Sequence, residues 1–261
     1  MVTSRLPLIA GNWKMNLDHL QAIAIVQKLA WTLEEARHDV SASEVAVFPP
    51  FTDLRSVQTL VDAEKFSVAY GGQDISAHDS GAFTGEVSGV FLSALGCSYV
   101  LVGHSERRQY HGETDEVLAA KVSAALRNGI VPILCVGETA ADLEEFGASA
   151  VPVAQLKAAV TGISADADIV IAYEPVWAIG SGKAATEEQA EQVCAALRHT
   201  LSEIVDANFA ARTRILYGGS VKSTNIASFM RQPNIDGALV GGASLDVGEF
   251  ASIVRFYKHV I

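Results

Sequence analysis

The sequence predicts a single-domain (β/α)8 barrel spanning residues 1–261. Eight short runs of apolar and β-branched residues recur along the chain, and most gaps between them carry a helical pattern. The runs lack the polar alternation of a half-exposed sheet, which is typical of strands buried on both faces of a parallel sheet. No linker divides the chain, so the repeated β/α units favour one closed barrel. An open doubly wound sheet is the competing interpretation, because the number of strands alone does not show closure.

The predicted strands cover residues 6–10, 44–48, 66–70, 98–102, 130–136, 168–172, 212–216 and 237–241. The clearest helix between them begins after Thr114, a good N-cap residue, and ends at the Asn128-Gly129 pair. Another helix begins at Thr186, which forms a capping-box pattern with Gln189. These signals indicate that helices follow strands along most of the chain.

Residues 71–88 are different, because this gap is long, has no helical period and is rich in Gly, Ser and Asp. A loop of that length in a compact enzyme is usually functional or contacts a partner. A disordered insertion is the alternative. We favour an ordered interface loop, because Phe83 would be poorly placed in a merely solvated one.

The composition excludes several classes of function. With 49% hydrophobic residues the chain can bury a large core, and its net charge of −11 argues against binding nucleic acid or an anionic membrane surface. An anionic small ligand remains possible, because backbone dipoles can create a local positive site. Cys97, Cys135 and Cys194 form no CxxC pair, which predicts free thiols in a reducing compartment. Since neither a signal peptide nor a membrane-spanning stretch is evident, we expect a cytoplasmic protein.

Polar residues follow several of the predicted strands where the strands end. Asn12 and Lys14 follow the first, His104 the fourth and Glu174 the sixth. In a parallel barrel these ends converge on one mouth, where the chemistry collects. This concentration of an amide, an amine, an imidazole and a carboxylate predicts an active site.

The spacing of the first two residues predicts their orientation. On an extended backbone Asn12 and Lys14 share one face, so we expect both at the mouth and Trp13 and Met15 in the packing. An isolated lysine is more often a surface residue. Because Lys14 follows a strand end between bulky apolar neighbours, we favour its being a fixed cation that neutralises an anionic ligand.

His104 precedes a predicted helix that starts with Ser105-Glu106. A helix N-terminus disfavours the imidazolium form, so a neutral ring there could donate a hydrogen bond to a carbonyl oxygen. The alternative is a packed core histidine.

Glycine-rich segments also lie at strand ends. The segment from Gly180 to Ala185 formally fits the dinucleotide pattern G-x-G-x-x-A, but it is separated from its strand and the signal is weak. We interpret residues 175–185 as a hinged lid with a stiff entry at Pro175 and Trp177.

Two further segments, Gly219-Ser220 and Gly241-Gly242, offer bare backbone N–H groups suited to phosphate oxygens. Glycines in such places can also serve as turn residues only. Several clusters at one mouth favour an anion site.

The motifs present favour proton transfer. The sequence has no HExxH, no Cys/His cluster and no G-x-S-x-G elbow, so we expect neither a catalytic metal nor a serine nucleophile. A carboxylate base (Glu174), a neutral donor (His104), a cation and a phosphate cradle suit abstraction of a proton next to a carbonyl. A lid that excludes water would protect the enediolate intermediate.

At these residues the sequence resembles the triosephosphate isomerase family. The matching motifs run in order along nearly the whole chain: AGNWKMN (10–16), GAFTGEVS (81–88), VGHSERR (102–108), CVGE (135–138), AYEPVWAIGSGKAAT (172–186), YGGSV (217–221) and VGGASL (240–245). The resemblance implies interconversion of dihydroxyacetone phosphate and D-glyceraldehyde 3-phosphate without a cofactor, in glycolysis and gluconeogenesis. The same enzyme is the standard example of a carboxylate base working with a neutral histidine under a closing loop.

The resemblance also implies roles for individual residues. Glu174 corresponds to the base, His104 to the proton-shuttling electrophile, Lys14 to the electrostatic partner and Asn12 to an oxyanion donor. Asn12 and Lys14 also count among the substrate-binding residues. The phosphate contacts of the family fall on Gly180, Ser220, Gly241 and Gly242.

The family is typically homodimeric, which would place Thr84 of the 71–88 loop against the neighbouring subunit. The lid departs from the commonest form of the family at Ser181 and Ala184, which affects expectations about lid kinetics rather than mechanism.

Two other functions fit a phosphate-binding barrel. A Schiff-base aldolase would need Lys14 as a desolvated nucleophile. A non-catalytic phosphosugar sensor could use the same fold, since fold does not determine function.

Overall fold

The computed structural model describes residues 5–179 and 184–259, and in this part of the chain eight parallel strands form a closed barrel. Each strand pairs with the next, and β1 pairs with β8 to close the sheet. This confirms the predicted (β/α)8 barrel and excludes the open doubly wound sheet. The strands are β1 Leu8–Asn12, β2 Glu44–Phe48, β3 Ala69–Gly72, β4 Tyr99–Val102, β5 Val131–Val136, β6 Val170–Tyr173, β7 Arg214–Tyr217 and β8 Gly237–Val240.

Helices surround the barrel between successive strands. They are α1 His19–Glu35, α2 Leu54–Glu64, α3 Gly89–Ala94, α4 Ser105–His111, α5 Asp115–Arg127, α6 Ala140–Phe146, α7 Ala150–Val160, α8 Glu187–Ile204, α9 Ala207–Arg212, α10 Ile226–Phe229 and α11 Val247–Val254. The predicted cap of α5 by Thr114 and the capping box of α8 at Thr186 are both present. No helix within the described residues is long and apolar enough to cross a membrane.

Several strands extend further toward their carboxyl ends than the apolar runs indicated. β1 continues to Asn12, which pairs with Phe48 of β2, so this polar residue belongs to the sheet itself. β3 continues through Gly71 and Gly72, so the long loop begins at residue 73 rather than 71. Glycine is required at position 71, because a Cβ atom there would lie 2.2 Å from the Tyr99 carbonyl oxygen. Sequence hydropathy misses such residues because they pair through their backbones.

The core has two layers separated by the barrel wall. Side chains such as Leu8, Ala10 and Phe48 fill the barrel interior, while Ile9 and Val47 face the helices. This alternation follows from the two-residue period of a strand, and both faces are apolar because both are covered. The buried layers give the strand ends a rigid support.

The amino-terminal end of the barrel is closed by a polar cluster. The Tyr99 hydroxyl donates to Glu44 Oε1 at 2.7 Å, and Arg214 donates to Glu44 Oε2 at 2.6 Å and to the Tyr99 oxygen at 2.8 Å. These partly buried groups satisfy one another, which offsets the cost of removing them from water.

All three cysteines are free and buried. Burial raises the pKa of the Cys97 thiol to about 12 and raises the pKa values of Cys135 and Cys194 as well. Because the thiolate is the reactive form, we expect the folded protein to resist an aromatic disulfide reagent at about pH 8. Unfolding in guanidinium should release three reacting thiols; rapid reaction before unfolding would contradict the buried arrangement.

Candidate active site

A cavity of about 350 Å³ opens at the carboxyl ends of the strands. The sequence predicted that widely separated segments would meet there, and they do. Its lining includes the predicted site residues Asn12, Lys14, His104, Glu174, Ser220, Gly241 and Gly242. This end of the barrel therefore combines a carboxylate, an imidazole, an amine and several backbone amides in one cavity.

Asn12 and Lys14 are held by a turn at the end of β1. The buried Asn12 side chain accepts the Lys14 backbone N–H at 3.0 Å, and Lys14 has φ of 55°, in the left-handed region. The predicted extended alternation is therefore only half correct. Trp13 is buried, but Met15 is 94% exposed rather than packed, because the left-handed residue redirects the chain.

The Lys14 amine forms an ion pair with Glu106 at 2.5 Å. Glu106 lies in the first turn of α4, two residues after His104. Sequence reasoning did not assign this acid a role, because an acidic residue in a first helical turn is common through its interaction with the helix dipole. The sequence signal that could have indicated a role for Glu106 is its position two residues after His104, in the first turn of the same helix.

His104 caps α4, as the predicted helix start required. Its Nδ1 accepts the Glu106 backbone N–H at 3.2 Å, so Nδ1 carries no hydrogen in this arrangement. The hydrogen of the neutral ring is then on Nε2, which lies 3.0 Å from Glu174 Oε1. The cap selects the tautomer that donates into the cavity.

Glu174 follows β6 directly and is buried. Its Oε2 accepts the Ser105 backbone N–H at 2.9 Å, while Oε1 contacts His104. Burial raises the pKa of Glu174, but the His104 contact, the Ser105 N–H and the Lys14 charge together outweigh it and lower the pKa. The carboxylate is therefore ionised and rests beside the imidazole.

The same contact affects His104. Burial lowers the pKa of His104, whereas the Glu174 carboxylate raises it, and the net direction is upward while the two groups touch. A ligand that separates them would remove the Glu174 contribution and leave burial and the Lys14 charge, which lower the pKa of His104 by more than the Glu106 carboxylate raises it. A substrate in the cavity would thus favour the neutral donor.

Close approach around Glu174 requires two glycines. A Cβ atom at Gly137 would lie 1.8 Å from the Glu174 carbonyl oxygen, and one at Gly218 would lie 2.9 Å from the Glu174 Cγ atom. Gly218 also donates its N–H to Tyr173 at 2.7 Å. Neither contact could be found from sequence spacing, because each joins different β/α units.

The predicted lid begins with Pro175 and a 3-10 turn, Val176–Ala178. Trp177 donates to Glu138 Oε1 at 2.7 Å, and the Tyr173 hydroxyl donates to the same oxygen at 2.9 Å. Glu138 is buried, and burial raises its pKa. Gly180 and Ser181 lie outside the described residues.

Ser220, Gly241 and Gly242, the described residues predicted to bind phosphate, all line one cavity with Lys14. Gly242 begins a 3-10 turn, Gly242–Leu245, and a Cβ atom added at Gly241 would lie 3.7 Å from the Lys14 Cε atom. Backbone N–H groups at such a turn and a nearby amine are the donors that anionic oxygens favour. Among the described residues, no group of three or more His, Cys, Asp or Glu side chains could hold a metal ion.

Comparison with known families matches residues 7–257 to the model described as triosephosphate isomerase. The chain belongs to the triosephosphate isomerase family. Proteins named triosephosphate isomerase from Leifsonia xyli subsp. xyli and Streptomyces avermitilis are 71% and 58% identical over 257 residues, covering 98% of this chain and 99% of each relative. One from Mycobacterium bovis is 54% identical over 253 residues, covering 96% of both chains.

Membership of the triosephosphate isomerase family confirms the resemblance drawn from the motifs. It also accounts for the order of the site residues, since the motifs that carry them follow different strands of the same barrel. The roles of the individual residues remain predictions, which the cavity geometry now makes specific.

Proposed function

We propose that the chain is an aldose-ketose isomerase that interconverts dihydroxyacetone phosphate and D-glyceraldehyde 3-phosphate through an enediolate, without a cofactor. The observation that carries this proposal is the contact between the ionised Glu174 and the donating Nε2 of His104 inside a cavity that also holds Lys14. A base, a neutral donor and a cation are the groups that this proton transfer needs.

The reaction begins when substrate enters between the two resting groups. Glu174 removes a proton from the carbon next to the carbonyl, and the C–H electrons form the carbon–carbon double bond of the enediolate. His104 donates a hydrogen bond to the oxygen that gains charge. Asn12 assists through its NH₂ group, because its Oδ1 is already bound to the Lys14 N–H. His104 then gives its Nε2 proton to the former carbonyl oxygen and takes the hydroxyl proton of the adjacent carbon, which exchanges the carbonyl and hydroxyl positions. Return of the first proton from Glu174 to the former carbonyl carbon completes the isomerisation.

The phosphate group binds opposite the base. Lys14 supplies charge, and Ser220, Gly241 and Gly242 supply polar and backbone donors. Closure of residues 175–185 over this group would exclude water and protect the intermediate. On closure Gly180 would add a backbone donor to the phosphate, and Ser181 and Ala184 would affect the rate of closure rather than the mechanism.

A coupled assay of glyceraldehyde 3-phosphate turnover tests the proposal. We expect rapid conversion without added metal or cofactor, and lack of turnover with retained phosphate binding would instead support a phosphosugar sensor. An aldolase is disfavoured because Lys14 lies in an ion pair with Glu106 rather than in the apolar pocket of a Schiff-base lysine. Trapping with borohydride should therefore give no adduct.

We further propose that the chain forms a homodimer through the loop of residues 73–88. Thr84 of this loop is exposed, and large apolar side chains are exposed on the loop, on the helix that follows it and on two segments that contact it through Gln73 and Asp74. These side chains are Met15, Phe83, Val90, Phe91 and Tyr110. An apolar surface of this kind favours a protein partner.

A cytoplasmic location stays a prediction from the sequence.

Sedimentation velocity should show a dimer at micromolar concentration. Replacing Phe83 with aspartate should shift the equilibrium toward monomer, because a charge would then have to be buried in the interface. The same change at Phe146, which is exposed on α6, is the matched control. A stable and fully active wild-type monomer would reject the interface.

A further inference from the structure

Lys14 has a backbone conformation that lysine rarely adopts. Its φ of 55° lies in the left-handed region, which is unfavourable for residues with a Cβ atom. Such a conformation persists only where surrounding contacts hold it. The ion pair with Glu106 is insufficient, because the flexible four-carbon stem of lysine allows many backbone conformations to place the same amine.

Two side-chain amides hold the Lys14 backbone from opposite sides. Asn12 Oδ1 accepts the Lys14 N–H at 3.0 Å, and Gln73 Nε2 donates to the Lys14 carbonyl oxygen at 2.7 Å. The same Gln73 nitrogen donates to the Phe48 carbonyl oxygen at 2.8 Å. Phe48 ends β2 and pairs with Asn12, so the Gln73 amide joins the left-handed turn to the rim of the barrel.

We propose that Gln73 is a positioning residue that acts through Lys14. It does not line the substrate cavity, but it fixes the turn from which the Lys14 side chain enters that cavity. Without the Gln73 amide, residue 14 would relax toward an ordinary backbone conformation and its amine would leave the anion site. This inference rests on the proposed function, which gives Lys14 its anion-binding role.

The chemistry of the amide explains the choice of residue. Both acceptors are backbone carbonyl oxygens, so the side chain must donate, and the NH₂ group of glutamine carries two hydrogens. Methionine has a similar shape but no donor. Asparagine keeps the donor on a side chain that is one methylene shorter, so it would not reach both oxygens in this geometry.

Gln73 also links Lys14 to the loop of residues 73–88. It is the first residue after β3 and therefore begins the loop of residues 73–88. Displacement of that loop would carry the amide away from Lys14. The geometry thus couples the loop to the cation of the site within a single subunit.

The test is the affinity of the protein for inorganic phosphate, measured by calorimetry, together with kcat and KM. For Gln73→Met we expect phosphate affinity and kcat/KM to fall together by about 10-fold to 100-fold, as the loss of two neutral hydrogen bonds implies. For Gln73→Asn we expect smaller losses of phosphate affinity and kcat/KM in the same direction. This variant decides the test if Gln73→Met does not fold.

Asn234→Leu is the matched control. The Asn234 amide also bridges two partners, Glu191 and Arg198, but it lies just before β8 at the opposite end of the barrel. It should lower the unfolding temperature without changing phosphate affinity. Equal losses of affinity in Asn234→Leu and Gln73→Met would overturn the inference, as would unchanged phosphate affinity in Gln73→Met.

Phosphate binding needs no turnover, so the two proposals can fail separately. A wild-type protein that binds phosphate but does not convert triose phosphates would reject the isomerase function. The affinity comparison would then still decide the role of Gln73.

Discussion

Replacing Glu174 with glutamine is expected to lower kcat by about 10²-fold to 10⁴-fold, the usual contribution of a positioned general base. The amide has nearly the same shape but does not accept a proton at neutral pH. It also cannot satisfy both neighbours of the carboxylate, because the Ser105 N–H and the His104 Nε2–H each need an acceptor. Steady-state turnover of glyceraldehyde 3-phosphate measures the loss.

The affinity for inorganic phosphate separates a catalytic from a binding role in this variant. The proposed phosphate contacts lie on other residues, so the dissociation constant of phosphate should change little when Glu174 becomes glutamine. Glu174→Asp is a useful second variant, because it keeps the carboxylate charge but shortens the side chain by one methylene and so moves the oxygens away from the substrate. A loss of phosphate affinity as large as the loss of kcat would reassign Glu174 to binding.

The sequence predicted that Glu174 and His104 would meet, because its signals are local. A polar residue that directly follows an apolar run lies at a strand end, and parallel strand ends meet at one face of a closed barrel. Glu174 and His104 satisfy this rule, so their meeting could be expected although 69 positions separate Glu174 from the Ser105 N–H that binds it. Family resemblance then supplied roles that position alone left open.

The supporting residues could not be predicted in this way. Gln73 contacts Lys14 across 59 positions and Glu106 contacts it across 92, and no periodic pattern records either pairing. The error at Met15 has a related cause. Left-handed turns are usually marked by glycine, and Lys14 adopts one because distant side chains hold it. What sequence reasoning missed was therefore set by tertiary contacts.

A second large effect is expected outside the cavity, where Lys121→Met should lower the free energy of unfolding by about 3–5 kcal/mol, the usual result of removing one partner from a buried ion pair. Lys121 is 7% exposed and contacts Asp74 at 2.6 Å and Glu113 at 2.5 Å. Arg107 contacts the same two acids, at 3.1 Å and 2.7 Å. Methionine would leave two buried carboxylates with one cation.

The pH dependence of this loss identifies its cause. Burial raises the pKa of Asp74, whereas contacts with Lys121 and Arg107 outweigh burial and lower the pKa of Glu113. Glu113 therefore stabilises the wild type above its unfolded pKa, and this contribution disappears as pH falls through its lower folded pKa. Without Lys121 the folded-state pKa values of Asp74 and Glu113 should both move upward. Protonation of these acids at low pH would then remove their unpaired charges, so the difference in free energy of unfolding between variant and wild type should shrink in acid.

Urea unfolding across this pH range, at fixed protein concentration, measures the effect. Glu203→Gln is the control, because Glu203 pairs with His199 on the exposed surface of α8, outside the loop proposed as the dimer interface. Exposed pairs contribute little, so the control should remain close to wild type at every pH. Lys121→Met behaving like the control would show that Arg107 alone satisfies both acids. A large loss that does not change with pH would instead indicate a packing defect around residue 121.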